Sequence, residues 1–246
     1  MPIYNLVYWI QTTPTPINPW QPWANTVLYY SFDNDTASTS YDGAGSENWS
    51  WYNDSWTYQD VTIGKCCSLW WASKYMTIPQ PFTYPTDNFT FSMWLAYTDY
   101  SSNQSRAIFS KWNGGSSSSW AYLMIYQYKG KICGDVPYAS GNLFLTWDLH
   151  DAYGATTWHN VVMTRSGTSW KTYVDWNSTP VTTTTGNYTL DWTTYWAYIG
   201  TNNNSTGVER VGYNWLLDEF IIENVVWSWQ DVSDYYNLTK SMYWIS

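Results

Sequence analysis

The chain has 246 residues, a length that suits one large all-β domain. Charged residues make up only 12%, against 44% hydrophobic and 21% aromatic, with 21 Trp and 24 Tyr; a core absorbs many of these rings, and the surplus is left for contacts with something else. The net charge of −9, with Lys and Arg scattered singly, excludes a nucleic-acid partner, and no apolar run approaches the roughly 18 residues of a spanning helix.

Residues 1–25 differ from the rest. Pro14, Pro16, Pro19 and Pro22 interleave with Trp20 and Trp23, which favours extended, polyproline-like backbone. Ile3, Leu6, Val7, Trp9 and Ile10 make the segment too apolar for a solvated tail. The expectation is an extended docking arm, with Trp9, Trp20 and Trp23 as anchors, seated on another assembly protein or a neighbouring copy. A floppy tail is the alternative. The opening MPIYNLVYWIQ lacks a basic n-region, so no cleaved signal peptide is read.

Residues 26–246 read as one domain. Thr26–Asp33 is the first strand, and Asn34–Asp60, rich in Ser, Asn, Asp and Gly, is a long loop that needs structure or function of its own. Its Trp49, Trp51 and Trp56 suit packing against another chain. Strand-like runs follow at Val61–Ile63, Leu69–Trp71, Tyr75–Ile78, Phe89–Tyr97, Ala107–Lys111, Trp120–Tyr128, Lys131–Val136 and Asn142–Asp148. Trp158–Trp176 is a β-hairpin broken at Ser166-Gly167-Thr168. Tyr195–Gly200 and Asn214–Val226 are further strands, Asn202-Asn203-Asn204 is a turn signal, and Thr182–Thr185 reads as loop and edge. Ser228 is a candidate N-cap for one short helix. Many punctuated strands without helical periodicity predict an antiparallel β-sandwich or jelly roll. The odd set Cys66, Cys67 and Cys133 implies no disulfide framework, with a bridge from Cys133 to one of the adjacent pair left open.

Several segments, in order, carry a resemblance: VLYYSFDND from Val27, FTFSMWLAY at 89–97, IFSKW at 108–112, WHNVVMTRSGTSWKTYVDW, YIGTN at 198–202 and LLDEFIIENVVWSWQDVSDYY at 216–236. Together they resemble a laminin G-like domain of the concanavalin A-like lectin/glucanase superfamily across about residues 26–240. One departure is Trp176-Asn177, where the family usually has Gly after Asp175, which suggests a different turn. The resemblance implies two stacked antiparallel sheets, often used to recognise carbohydrate or protein. It also implies Ca2+ as the ion to look for; Asp33 and Asp35 after the first strand and Asp218 on the last are the candidate ligands. Strand-end turn residues are the simpler account of the same acids.

The superfamily includes glycosidases, which need two carboxyl groups about 5–9.5 Å apart across the scissile bond. Its enzymes place three acids at alternate strand positions. Alternation in Leu217–Glu223 would put Glu219, Ile221 and Glu223 on one face and Asp218 on the other, with Ile221 where the middle carboxylate belongs. No catalytic residues are assigned, and the chain is read as a non-enzyme. His159, inside the hairpin, is expected to be structural, and His150 between Asp148 and Asp151 is too sparse a set for a metal.

Sugar rings stack on indoles while nearby amides and carboxylates fix their hydroxyls. The candidate carbohydrate-binding residues are Trp112, Asn113 and Trp120, Trp147 and Asp148, and Trp192 and Trp196. Each indole has a competing reading as core or inter-subunit packing. The expectation is a non-enzymatic, lectin-like surface protein of a phage or virus particle (fibre, tail or capsid decoration). It would bind surface glycans or receptors and other virion proteins, self-associate as a homo-oligomer, and not insert in membranes. Work on a virion or extracellular surface fits synthesis without a cleaved leader. The alternatives are a purely structural assembly protein and a cell-surface adhesin domain.

Overall fold

The computed structural model describes residues 22, 24–33, 39–40, 42–44, 49–52, 57–60, 64–68, 75–78, 87–97, 106–111, 123–128, 131–138, 141–148, 157–186, 197–204, 207–209 and 215–243. In chain order the strands are β1 (Thr26–Tyr30), β2 (Thr39–Ser40), β3 (Trp49–Tyr52), β4 (Thr57–Asp60), β5 (Lys65–Ser68) and β6 (Tyr75–Ile78). Next come β7 (Asn88–Tyr97), β8 (Arg106–Lys111), β9 (Leu123–Tyr128), β10 (Lys131–Tyr138), β11 (Gly141–Asp148) and β12 (His159–Ser166). The set ends with β13 (Ser169–Val174), β14 (Thr182–Thr185), β15 (Ala197–Ile199), β16 (Asn202–Asn204), β17 (Gly207–Glu209) and β18 (Trp215–Glu223). Among the described residues one helix, α1 (Trp229–Thr239), runs into a 3-10 turn at Lys240–Tyr243.

Two eight-stranded antiparallel sheets form the sandwich, as expected. Sheet one runs β14-β13-β12-β7-β18-β5-β4, and sheet two runs β11-β10-β9-β8-β15-β6-β3-β2. In sheet one, β7 follows one edge of β18, so β1 and β5 share the other: Leu216 and Leu217 pair with Ser68 and Cys67, while residues 220–223 pair with β1. Alternation in the strands of sheet one then sorts residues between two apolar layers. Phe89, Phe91, Met93 and Leu95 of β7, with Val161, Met163, Trp170 and Phe220, meet Ile108, Phe109, Ile125 and Ile199 of sheet two in the inner core. Phe91 lies 5.2 Å from Phe109 and 6.1 Å from Phe220, ring centre to ring centre, the spacing at which tilted and edge-on aromatic pairs attract.

The opposite face of sheet one is also apolar, and α1 covers it. Tyr29, Trp94, Val162, Tyr173 and Ile221 pack against Trp227, Val232, Tyr235, Tyr236, Met242 and Tyr243. The Trp94 indole stacks on Tyr243 at 4.2 Å and on Tyr236 at 5.5 Å, and its Nε1 donates to Thr239 Oγ1 at 3.1 Å. Ser228 is the N-cap, as expected. Its hydroxyl accepts from Asp231 N while Asp231 Oδ2 accepts from Ser228 N, a reciprocal capping box.

Several sequence expectations change. The Asn34–Asp60 stretch contains three strands: β3 and β4 hold strand-favouring aromatic residues, Trp49, Trp51 and Tyr52 in one and Tyr58 in the other, and β2 pairs with β3. Asn202–Asn204, read as a turn, pairs with Gly207–Glu209 in a two-stranded ribbon. The final strand ends at Glu223, not Val226, where Thr90 Oγ1 donates to Val225 O and accepts from Trp227 N. The runs Val61–Ile63 and Leu69–Trp71 and the arm residues Trp9, Trp20 and Trp23 lie outside the described residues. The three cysteines are buried and none is in a disulfide.

The hairpin β12–β13 closes through Gly167-Thr168, with Ser166 facing Ser169. Gly167 has φ +57°, a conformation that glycine adopts without steric cost. At the other end Asp175 takes φ +55° at the turn that carries Trp176. Its Oδ1 accepts from Asn160 N at 3.0 Å and its Oδ2 lies 3.1 Å from His159 Nδ1, so His159 holds the turn to the strand.

Candidate functional site

Between the outer face of the β12–β13 hairpin and the chain leading into α1 lies an open groove of about 470 Å³. The hairpin supplies Thr164, Ser166, Ser169, Lys171 and Tyr173, and the opposite wall is Val226, Trp227, Ser228 and Trp229. Period-two alternation aims Ser169, Lys171 and Tyr173 outward while Trp170 and Val174 enter the inner core. The wall stands where it does because Thr90 ties down Val225 and Trp227, and because the Trp227 ring packs 5.2 Å from Tyr235. Trp229, the first helical residue, keeps 50% of its surface exposed. Burial raises the Tyr173 phenol, which therefore stays neutral. The groove thus offers an aromatic wall, several hydroxyls and one ammonium.

Beneath α1, not far along the same sheet, lie the acids of β18. A bulge sits between Asp218 and Ile221: Asp218 pairs with Trp94 and Ile221 with Ser92, leaving Glu219 and Phe220 opposite Met93. Glu219 takes φ +50°. The bulge overturns the simple alternation expected from sequence. Asp218, Ile221 and Glu223 follow the register of the outer face, Phe220 enters the inner core, and the Glu219 carboxylate also reaches the outer layer, where Tyr29 Oη donates to it at 3.0 Å.

All three acids are fully buried. Asp218 accepts from Tyr243 Oη at 3.0 Å and from Glu219 N at 2.8 Å, and Glu223 accepts from Thr26 Oγ1 at 2.7 Å. Burial first, then the charges of Glu219 and Asp33, push the Asp218 carboxyl well above the usual carboxylate range. Burial also raises Glu223. The same burial, reinforced by Glu219 and Asp218, raises the phenols of Tyr29, Tyr235 and Tyr243. The arrangement is a buried set of carboxyls and phenols covered by the C-terminal segment, with none of its carboxyls facing solvent.

The calcium candidates divide. Asp33 Oδ1 accepts from Lys65 N at 2.8 Å and fills the space where a side chain on Gly64 would lie. Asp218 is enclosed by tyrosines, and Asp35 lies outside the described residues. Among the described residues no three His, Cys, Asp or Glu side chains gather as a metal site would need.

Of the carbohydrate candidates, Trp112, Asn113, Trp120, Trp192 and Trp196 lie outside the described residues, as does His150. Trp147 and Asp148 belong to β11, the edge strand of sheet two, opposite Ile132 and Lys131 of β10. The groove is on sheet one, so it is a different location from theirs. Sequence reasoning missed it. The alternation S-W-K-T-Y was available as a signal, but which hairpin face would stay partly open depends on where α1 docks.

A laminin G-type family model, described as the concanavalin A-like lectin/glucanases superfamily, matches residues 72–233. No curated protein sequence matches the chain. Among solved structures, the receptor binding domain of botulinum neurotoxin C/D mosaic serotype superposes with a TM-score of 0.63 at 14% identity, covering 87% of this chain and 51% of that one. The receptor binding domain of botulinum neurotoxin D gives 0.64 at 13%, covering 87% and 52%. The serotype D ligand binding domain in complex with N-acetylneuraminic acid gives 0.64 at 14%, covering 87% and 50%. The chain therefore spans about half the length of these solved chains, and at such identities the likeness is one of fold.

Proposed function

Because the chain belongs to the concanavalin A-like lectin/glucanases superfamily, we propose that it is a non-enzymatic, lectin-like protein that binds surface glycans or a glycosylated receptor. The observation that carries this reading is the groove, where the half-exposed Trp229 ring faces strand hydroxyls, the pairing of apolar platform and polar groups that sugar sites use. The receptor-binding and ligand-binding neighbours support it as analogues of fold. The burial of Asp218, Glu219 and Glu223 speaks against hydrolysis, since none of these carboxyls reaches a solvent-accessible bond.

The finer reading is a phage or virus surface protein, a fibre, tail or capsid-decoration component. Its 1–25 arm docks on other assembly proteins, and copies associate as a homo-oligomer. The aromatic excess and the Pro/Trp-rich arm support it. Trp112 and Trp120, with Trp147 of β11, are a second candidate glycan face. No helix among the described residues is long and apolar enough to cross a membrane.

A glycan array with the purified protein, run with calcium and with chelator, tests the function. Specific hits that disappear in Trp229→Ala place the site in the groove, and hits that disappear in Trp112→Ala or Trp147→Ala place it at that second face. Chelator sensitivity would bring calcium into the site. A blank array with clear self-association would favour the structural assembly protein, whose aromatics join copies.

A further inference from the structure

We infer that the groove selects a saccharide bearing a negatively charged group, a carboxylate or a sulfate, with Lys171 as its charge partner. The inference rests on the glycan-binding reading above. A neutral sugar's hydroxyls can exchange hydrogen bonds with serine, threonine and tyrosine hydroxyls, which donate and accept; what this lining adds is an ammonium with no carboxylate among the lining side chains. Its polar side chains are the hydroxyls of Thr164, Ser166, Ser169 and Ser228, the phenol of Tyr173, indole N–H groups and the Lys171 ammonium. The ammonium is a donor with no accepting atom. The complementary ligand is rich in acceptors.

Lys171 is positioned for that role. It projects from the outer face of β13, is exposed, and makes no ion pair with any described residue. Acids in its neighbourhood are otherwise engaged: Asp175, four positions on, accepts from Asn160 N and lies 3.1 Å from His159 Nδ1. Asp231 Oδ2 accepts from both Ser228 N and Ser228 Oγ at 2.7 Å, and Glu223 is buried against Thr26. Asp87, near the hairpin turn, lies 3.5 Å from Arg165 Nη2. With a net charge of −9 the chain as a whole repels anions, so a lone cation among lining side chains that include no carboxylate marks a local exception, with Asp231 held behind Ser228. The volume of about 470 Å³ lies in the range of small-ligand sites, roughly 300–1,000 Å³. Trp229, at the rim, offers a face for the sugar ring while the charged substituent meets Lys171.

The test is an array of matched oligosaccharides that differ only in carrying a hydroxyl, a carboxylate or a sulfate, followed by titration of the best triplet. The expected result is at least about tenfold tighter binding of the two acidic members, since hydrogen bonds to charged groups are stronger than those between neutral ones. Lys171→Gln should remove the preference, Lys171→Arg should keep most of it, and added salt should shrink it. Equal binding of all three members overturns the inference and leaves the glycan reading standing. So does a charge preference that survives Lys171→Gln but is lost in Trp112→Ala or Trp147→Ala. An array blank for every saccharide overturns both.

Discussion

Asp218 is held where a carboxylate is least comfortable, fully buried and beside a second acid. Its carboxyl is raised in the folded protein, so its contribution to stability is fully present below the unfolded value of about 4 and is lost as pH rises toward the folded value. Removing the charge removes that loss. We expect Asp218→Asn to unfold at higher urea than the parent at pH 8, with the difference shrinking toward pH 4. The Tyr243 hydroxyl can turn to accept from the new amide. A variant weaker than the parent at pH 8 would show that the ionised carboxylate has a cationic partner, the role that calcium would play. Glu219→Gln and Glu223→Gln should leave glycan binding intact and shift only the urea midpoint, because neither acid reaches the groove.

At the scale of elements, the capping box decides how firmly the groove wall stands. Ser228→Ala should cost about 1 kcal/mol, read as a lower urea midpoint, and should weaken saccharide binding because Trp229 begins the helix that Ser228 caps. Much of this level was legible in the residues. The β12–β13 hairpin follows from alternation around a Gly-containing turn, and the N-cap follows from Ser228 with Asp231 three positions on. The bulge in β18 was not legible. Leu217–Glu223 offers no Gly or Pro to mark it, and only the long-range pairing with β7 and the Tyr29 hydroxyl holds Glu219 at φ +50°. The groove escaped for a related reason. Lys171 and Tyr173 look like any outward strand positions until the Val226–Trp229 segment, over 50 residues later, is laid beside them.

For the whole molecule, the described sandwich begins its pairing at Thr26, and the one described backbone bond that ties residue 25 to the sandwich is Asn224 N to Asn25 O. Deleting residues 1–25 should therefore leave a folded sandwich with unchanged glycan binding, seen as a retained cooperative melt. The same deletion should abolish incorporation into an assembly if the arm is a docking element. A truncated protein that still assembles would reduce the arm to a tail.

The placing of β18 reaches beyond the finished structure. It lies between β7 on one edge and β1 with β5 on the other, and its Glu223 bonds Thr26 across 197 residues of sequence. Until β18 arrives, β1 lacks the strand it pairs with and β7 has an unfilled edge. Closing so long a loop is entropically slow, and contacts this distant lower folding rates. During that wait a neighbouring chain's β18 and α1 fit the vacancy as well as the molecule's own. Refolding at high protein concentration should thus yield dimers that have exchanged this C-terminal unit, separable by size and absent when the chain refolds dilute.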